Sequence, residues 1–359
     1  MLGLLFFAAL VAHPSDSLRY PQERYLRNVR QLTFGGNNAE AYFSFDGRWL
    51  IFQSDDPRIN PQGCDQQFII PVDASAPPRL VSTGKGRTTC GFFLKDGSIL
   101  YASTHAANPA CPHSPMFAGG RYVWPVHPEY DIYHATAQGQ LLGVLVGGPG
   151  YDAEATVSPD GRYVVFTSAR SGDLDLWKLD LQTGAMTQLT HELGYDGGAV
   201  FSPDGSLIAW RRTASLRTAA DSMRYRELLA QGLVEPTEME IWVMNADGSN
   251  KRQVTRLGGA NWAPFFHPSG RKLIFASNHH TLATKRGRQF NLFLINLDGT
   301  GLEQVTFDEA FDAFPMFSPD GRKLVWCSNR FNGGTRDTNV FVADWVEQET
   351  NAAGSQPQR

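Results

Sequence analysis

The chain has 359 residues, 42% of them hydrophobic, and a formal net charge of −4. This composition can form a sizeable core, and the length is compatible with one large all-β domain. Lys and Arg are spread along the chain without a basic stretch, which disfavours a nucleic-acid partner. No run of like charges marks an acidic tail.

The first element is an unbroken apolar run from Leu2 to Ala12. It is too short to span a bilayer, which takes about 20 residues, and it is typical of the apolar region of a signal peptide. The first positive side chain is Arg19, so the usual positive start is missing. We interpret residues 1–17 as a signal-peptide-like segment and expect a periplasmic or secreted protein without a transmembrane segment.

Beyond this segment, one phrase of the type "FSPDG" recurs, each time between two apolar runs. Asp-Gly at this place is a strong hairpin signal, because Gly accepts the positive φ of such turns. A third and a fourth strand follow each hairpin, as in "LDLWKLD" from Leu174 and "TQLT" from Thr187. The pattern predicts six four-stranded units of a β-propeller. Their turns are Asp46-Gly47, Asp96-Gly97, Asp160-Gly161, Asp204-Gly205, Ser269-Gly270 and Asp320-Gly321.

The two ends of the repeat region predict how the ring closes. The last unit stops after its third strand, "TNVFVADW", whereas a spare fourth strand, Val29 to Phe34, precedes the first unit. We predict that this strand completes the last blade, which removes an open sheet edge. The propeller is expected over residues 28–346, and residues 347–359 are expected to be a disordered tail.

These repeats resemble the TolB-like six-bladed β-propeller family, whose members carry the same "FSPDG" and "VMNADG" phrases. The resemblance covers Val29 to Val346 and implies an all-β fold of four-stranded antiparallel blades. The family includes partner-binding proteins, domains fused to peptidases and some enzymes, so the resemblance leaves the function open. It implies a protein partner or small ligand at the cell envelope.

Strand alternation places the short Asp-Gly turns on one face, here called the bottom, and nearly all extra length on the opposite, top face. Long loops on one side of a rigid scaffold favour function, and neutral decoration is the alternative. The insertions are residues 54–66, 104–130, 213–238, 279–289 and 329–338. Residues 217–242, which overlap the third insertion, predict a short amphipathic helix, either a lid or partner-docking element or a segment packed on neighbouring loops.

Each innermost strand opens at the top with a polar residue, and the residue two positions later should point the same way on a regular strand. The first set is Asn38, Thr88, Asp152, Asp196, Asn261 and Asp312, and the second is Glu40, Cys90, Glu154, Gly198, Ala263 and Phe314. A ring of carboxylates would bind a divalent cation in the central channel or the amine of a ligand. The predicted ligand-binding residues at the channel mouth are Asn38, Glu40, Asp152, Glu154, Asp196, Asn261 and Asp312. Alternatively, the first set caps the turns between blades.

Aromatic side chains near this ring could supply an apolar contact surface. They are Trp124, Tyr151, Tyr195 and Trp262.

Motifs for catalysis are missing: the sequence has no Gly-x-Ser-x-Gly, no His-Glu-x-x-His and no phosphate-binding Gly loop. Several histidines fall in the top-face insertions, where they could hold a metal or be solvated loop residues. Their spacing matches no zinc pattern. They are His105, His113, His127, His279 and His280.

Three of the four cysteines, Cys64, Cys90 and Cys111, fall at the top of blades 1 and 2, and Cys327 lies inside a strand. In an exported protein two of the three should pair. Cys90–Cys111 would pin the long loop to an innermost strand, and Cys64–Cys90 would tie two blades together. The sequence leaves this choice open, and a thiolate metal site is a further alternative.

These observations predict an exported binding or protein-interaction module that works at its channel mouth. The alternatives are a metal-dependent enzyme, a lyase or hydrolase, acting at the same mouth, or an accessory domain to an exported peptidase.

Overall fold

The structure is a computed structural model that describes residues 17–113, 115–284, 287, 289–309, 311–335 and 337–347. Nearly all of the signal-peptide-like segment and of the predicted tail lies outside these residues. Within the described ranges, no helix has the length and apolarity that a membrane span requires.

Six four-stranded antiparallel sheets form a ring of blades, as predicted. The strands are given from the channel outward. Blade 1 contains Asn38–Phe43, Trp49–Ser54, Gln66–Pro71 and Arg79–Leu80. Blade 2 contains Thr88–Phe93, Ile99–Ser103, Asp131–Ala135 and Leu141–Val146. Blade 3 contains Asp152–Val157, Tyr163–Ser168, Asp175–Asp180 and Met186–Gln188. Blade 4 contains Asp196–Phe201, Leu207–Thr213, Met239–Asn245 and Arg252–Gln253. Blade 5 contains Asn261–Phe266, Lys272–Ser277, Asn291–Asn296 and Glu303–Gln304. Blade 6 contains Asp312–Phe317, Lys323–Ser328, Asn339–Trp345 and Leu26–Gln31.

The N-terminal strand completes blade 6, which confirms the predicted closure. The strand runs from Leu26 to Gln31, three residues earlier than expected, and pairs antiparallel with Asn339–Trp345. Tyr25 stacks on Trp345 with ring centroids 4.8 Å apart. Leu26 and Val29 are buried in the core that blade 6 shares with its neighbours.

The Asp-Gly turns of several blades share a sequence because they share two structural contacts. In blade 3 the Ser158 hydroxyl donates to the Asp160 carboxylate at 2.5 Å, and the same Ser–Asp bond recurs in blades 1, 4 and 6. The glycine has positive φ in all six turns, and in blades 1, 4 and 6 it faces the proline of the preceding blade: a Cβ on Gly321 (φ +71) would come 2.9 Å from Pro268. Local hydrogen bonding and packing between blades therefore require the same residues.

Every innermost strand contains a β-bulge at the same place. The register shifts there in all six blades. The residue at the shift has positive φ in each blade, and in five of the six it is not glycine. These are Glu40, Cys90, Glu154, Gly198, Ala263 and Phe314. A bulge re-aims the side chains beside it, so the two sets of ring residues do not point the same way, contrary to the expectation for a regular strand.

The remaining elements belong to the top-face insertions. Phe117–Ala118 pairs with Arg121–Tyr122, and Trp124–Pro125 pairs with Leu233–Val234. The predicted helix is present as α1 (Ala219–Leu229), and a 3-10 helix spans His279–Thr284. Thr218 and Asp221 form a capping box at the start of α1.

Candidate functional site

The insertions of blades 2 and 4 meet over the channel. Trp124 and Pro125 of blade 2 form a short antiparallel ladder with Val234 and Leu233 of blade 4. The Val126 N–H continues it by donating to the Gly232 carbonyl at 2.7 Å. We call residues 122–126 and 232–236 the lid, because Tyr122, Trp124, Pro125 and Val126 line the cavity below.

The space under the lid, here called the channel-mouth cavity, has a volume of about 550 Å³. This is in the range of small-ligand sites, roughly 300–1,000 Å³. Eight aromatic side chains form part of its wall. They include the four that the sequence analysis singled out, Trp124, Tyr151, Tyr195 and Trp262, and the others are Tyr122, Tyr130, Phe311 and Phe314. A second apolar cavity of about 490 Å³ shares Tyr122, Trp262 and Phe311 with it.

Glu154 lies in the wall of the cavity and is saturated with hydrogen bonds. Its carboxylate accepts from the Tyr195 hydroxyl at 2.6 Å, the Tyr151 hydroxyl at 3.0 Å and Arg211 at 3.1 Å. Burial holds the pKa of both tyrosines well above the usual range, so both hydroxyls stay protonated and donate. Glu154 and Arg211 are each 8% exposed and form a buried ion pair.

Glu40 is the carboxylate of the cavity that lacks a cationic partner. The other lining charges are paired: Arg211 with Glu154, and Arg87 with Asp65 at 2.7 Å. Glu40 forms no ion pair with any residue in the described ranges. Burial raises the pKa of its carboxyl, while a hydrogen bond with the Cys90 thiol and the charge of Arg211 oppose the rise. The cavity therefore presents, inside a partly aromatic wall, one acidic group that has no ion-pair partner of its own among the described residues.

A family model described as TolB beta propeller domain matches residues 230–344. These residues form the outer half of blade 4, all of blade 5 and three strands of blade 6, and the same unit is repeated around the ring. Over these residues the chain resembles the TolB β-propeller domain, and its blades are called TolB-like below.

Two curated relatives match about half of this TolB-like propeller. An uncharacterized protein of Agrobacterium fabrum is 28% identical over 178 residues, covering 47% of this chain and 52% of the relative. A TolB homolog of Chlorobium chlorochromatii is 31% identical over 212 residues, covering 48% of this chain and 43% of the relative. The chain thus spans about half the length of the curated relatives it matches.

Solved structures resemble the propeller over most of its length. TolB from Acinetobacter baumannii has a TM-score of 0.56 at 16% identity, covering 85% of this chain and 65% of the other. A gluconolactonase from Xanthomonas campestris has a TM-score of 0.57 at 11% identity, covering 90% and 91%. Identities this low show the fold alone, and this fold is shared by a TolB and by an enzyme.

Of the seven predicted ring residues, Glu40 and Glu154 line the channel of the TolB-like propeller. The other five are held by bonds within and between blades and do not line the cavity. Asp152 pairs with Arg170 at 2.8 Å, and Asp312 pairs with Arg330 at 3.1 Å. Asp196 accepts from the Trp210 indole at 2.6 Å, and the amides of Asn38 and Asn261 donate to backbone carbonyls. Asn38 and Asn261 thus hold backbone of the neighbouring blade, as the capping alternative expects. The cited contacts of the three aspartates are instead with side chains of their own blades.

Arg211 is a charged residue of the cavity wall that sequence reasoning missed. It lies on the second strand of blade 4, where it pairs with Gly197. The corresponding residue of every other blade is uncharged: Gln53, Ala102, Thr167, Ala276 and Cys327. Aligning the six repeats strand by strand would have singled out this charge on an inward-facing strand.

The structure pairs Cys64 with Cys111, with their Cα atoms 5.9 Å apart, and leaves Cys90 and Cys327 as buried thiols. Neither of the two pairings considered from sequence is therefore present. The reason is the bulge at Cys90, which places this thiol beside Glu40 at the channel. The disulfide instead ties the base of the blade 2 insertion to blade 1.

The histidines do not line the channel-mouth cavity. Among the described residues, no three His, Cys, Asp or Glu side chains are grouped as a metal ion would require. His279 and His280 contact each other and Phe293, and burial lowers the pKa of His279 to about 4.

Helix α1 lies behind the lid and not over the channel. Its Leu228 is buried with Val123 and Leu233 of the lid segments, and the Tyr225 hydroxyl donates to Asp173 at 2.5 Å. Met223 is 60% exposed. The contacts of the helix favour the alternative of packing on neighbouring loops.

Proposed function

We propose that this TolB-like propeller is an exported binding module that takes a ligand, or a segment of a protein partner, into the channel-mouth cavity. The observation that carries the proposal is Glu40, an acidic group without a cationic partner among the described residues, in a cavity of about 550 Å³. An unpaired buried charge is costly, and a cationic guest would offset that cost.

An organic cation suits the cavity better than a metal ion does. Aromatic faces attract ammonium and guanidinium groups, and this attraction grows when the groups are desolvated. Arg211 already lies over Trp124 and Tyr195, with its guanidinium carbon 5.1 Å and 5.5 Å from the ring centroids. Tyr122 and Trp262 supply further aromatic surface on the same cavity. The grouped His, Cys, Asp and Glu side chains that a metal-dependent lyase or hydrolase would use are missing from the described ranges.

The neighbouring apolar cavity supports a guest larger than a small amine. It adjoins the first through Tyr122, Trp262 and Phe311, and Met116 and Phe117 at its rim are 58% and 52% exposed. A partner segment with a basic side chain and an adjacent apolar side chain would fill both cavities.

The bottom end of the channel, by contrast, has an apolar cavity of about 300 Å³ whose described lining carries no charged side chain.

Export is supported by the apolar N-terminal run and by the Cys64–Cys111 disulfide, since structural disulfides persist in oxidising compartments. N-terminal sequencing of protein recovered from the periplasm should show loss of the signal-peptide-like segment. Recovery of the uncleaved chain in the cytoplasmic fraction would contradict export.

The binding proposal can be tested with a simple probe pair, benzylammonium and its neutral analogue benzyl alcohol. Trp124 and Trp262 line the cavity, so tryptophan fluorescence should report binding. We expect benzylammonium to bind more tightly, and the isosteric change Glu40→Gln to weaken it at least about tenfold, the value of one charge-assisted contact.

The bottom-face change Lys251→Ala is the matched control and should leave the affinity unchanged. Equal binding of both probes, or full binding by the Glu40→Gln variant, would refute the cationic guest.

A further inference from the structure

Arg211 carries hydrogen-bond donors that no described residue uses. Both of its hydrogen bonds to described residues come from Nη2, to the Tyr195 hydroxyl at 2.6 Å and to the Glu154 carboxylate at 3.1 Å. Its Nε–H has no acceptor among these residues, and neither has Nη1. A guanidinium has five N–H groups, and buried polar groups are normally paired. The unused donors therefore indicate an acceptor that binds beside Arg211.

Glu40 and Arg211 line the narrowest part of the channel together. A space of about 30 Å³, here called the throat, has both of them and Glu154 in its wall. It shares these three side chains with the channel-mouth cavity and shares Thr156 and Val200 with the bottom cavity, so it lies between the two. A water molecule takes up about 30 Å³ in the liquid. The throat is thus the size of one small polar group, which can contact both Glu40 and Arg211.

Gly198 makes room for the guanidinium at the throat. It is the residue at the bulge of blade 4, where a Cβ would come 2.4 Å from Nη1 and 2.8 Å from Cζ of Arg211. The same bulge position holds Ala263 in blade 5, with φ +49 against +59 for Gly198. Because alanine occupies this backbone conformation in blade 5, the conformation alone does not require glycine. The glycine is required by the space that Arg211 fills.

The charges in the cavity wall determine which acceptor fits. Glu154 already neutralises Arg211, and Asp65 pairs with Arg87 at 2.7 Å, which leaves the negative charge of Glu40. A guest with one positive charge balances Glu40, whereas a guest that also brings a carboxylate restores the imbalance. The unused donors of Arg211 are therefore suited to a neutral carbonyl oxygen, which a guanidinium binds through a charge-assisted hydrogen bond.

We propose that the guest of the channel-mouth cavity is the free amino terminus of a peptide or protein segment, with its ammonium group on Glu40 and its first carbonyl oxygen on Arg211. This inference rests on the proposed function and names the guest of the same site. In an amino terminus the ammonium nitrogen and the carbonyl carbon are bonded to one Cα atom, so both contacts fit at the throat. The ammonium group of a lysine side chain has no such carbonyl and would leave the donors of Arg211 unused.

Three small probes separate the two contacts. L-Phenylalaninamide has the ammonium group and a neutral carbonyl, 2-phenylethylammonium has only the ammonium group, and N-acetyl-L-phenylalaninamide has only carbonyls. At about pH 6.5 an α-amino group is largely protonated. Fluorescence of Trp124 and Trp262, which line the cavity, should show that phenylalaninamide binds about tenfold more tightly than 2-phenylethylammonium. The acetylated probe should bind more weakly than either amine.

Two variants test the role of Arg211. Arg211→Lys keeps a positive charge beside Glu154 but removes the planar fork of donors, so phenylalaninamide should fall to the affinity of 2-phenylethylammonium. The affinity of 2-phenylethylammonium should change by less than about threefold, which shows that the site is still folded. Gly198→Ala should have the same effect, because its Cβ displaces the guanidinium without removing it. Lys251→Ala is the matched control and should keep the preference for phenylalaninamide.

The outcomes distinguish this inference from the proposed function. Equal affinities of the wild type for the two amines would overturn the carbonyl contact but leave the cationic guest in place, whereas failure of both amines to bind would refute the proposed function as well. A preference that survives in Arg211→Lys and in Gly198→Ala would overturn the role of Arg211. Free L-phenylalanine binding more tightly than its amide would overturn the choice of a peptide end, because Arg211 would then take a carboxylate.

Discussion

Arg330 and Glu23 are separated by most of the chain, yet they form a bidentate ion pair in which neither side chain is exposed to solvent. The guanidinium donates to the two Glu23 oxygens at 2.8 Å and 3.1 Å, and also to Asp312 at 3.1 Å. Tyr20 stacks on Phe331 beside this pair, with ring centroids 5.3 Å apart. The segment before the closing strand is thus bound to the top of blade 6 by charge as well as by packing.

We expect Glu23→Gln to lower the free energy of unfolding by about 3 kcal/mol, because it leaves a buried guanidinium short of one carboxylate. Asp344→Asn is the control, since its pair with Lys323 is 39% and 37% exposed and should contribute less than about 1 kcal/mol. Urea unfolding measures both changes. Equal, small losses for the two variants would contradict this role of Glu23.

Removal of residues 18–31 deletes the closing strand and exposes the edge of Asn339–Trp345. Because an open apolar edge invites association, the truncated protein should aggregate or lose most of its stability. Size-exclusion chromatography and thermal unfolding provide the readout. A truncated chain that stays monomeric with an unchanged melting temperature would exclude closure by this strand.

The disulfide predicts a redox-dependent stability. Mass spectrometry of exported protein should find Cys64 joined to Cys111, with Cys90 and Cys327 free. A reductant should lower stability by about 2–4 kcal/mol, because the cross-link restricts the unfolded chain. A double variant, Cys64→Ser with Cys111→Ser, should not respond to the reductant. If the reductant lowered the stability of both proteins equally, the effect would not come from the Cys64–Cys111 disulfide.

Cation binding should depend on pH through Glu40. Burial raises the pKa of this carboxyl, and only the ionised form attracts a cation, so affinity for benzylammonium should fall as the pH falls through the raised pKa. The Glu40→Gln variant has no such group and should bind weakly at every pH. Fluorescence titrations at several pH values measure both. A wild-type affinity that is constant down to about pH 4, near the ordinary pKa of Glu, would contradict the role of Glu40.

Asp196 should make stability fall with rising pH. Burial raises its pKa to about 7, and one of its carboxylate oxygens has no hydrogen-bond partner in the described structure. An unfolded Asp titrates near pH 4, so from there to about pH 7 the folded state binds more protons, and raising the pH favours unfolding. Relative to Asp196→Asn, the wild type should lose about 2–4 kcal/mol across this range. A constant stability difference between the two proteins would contradict this assignment.

The repeated turn sequences were sufficient to predict the fold. Each "SPDG" phrase forms its hairpin through contacts within a few residues, such as the Ser158–Asp160 bond, so local chemistry reveals six blades. The spare strand before blade 1 and the missing strand of blade 6 then predicted closure, because the spare strand completes blade 6 and covers the edge of its third strand. The positions of the insertions followed from strand alternation.

Tertiary structure alone decided which side chains face the channel. A bulge adds one residue to a strand and changes the direction of its neighbours, and the alternating pattern of the sequence does not reveal where it occurs. Glu40 and Glu154 therefore line the cavity, whereas Asp152, Asp196 and Asp312 are bonded within the blade walls. The Cys64–Cys111 pair and the Trp124–Val234 ladder join segments distant in sequence. Such contacts depend on the relative placement of whole blades, which local sequence chemistry does not specify.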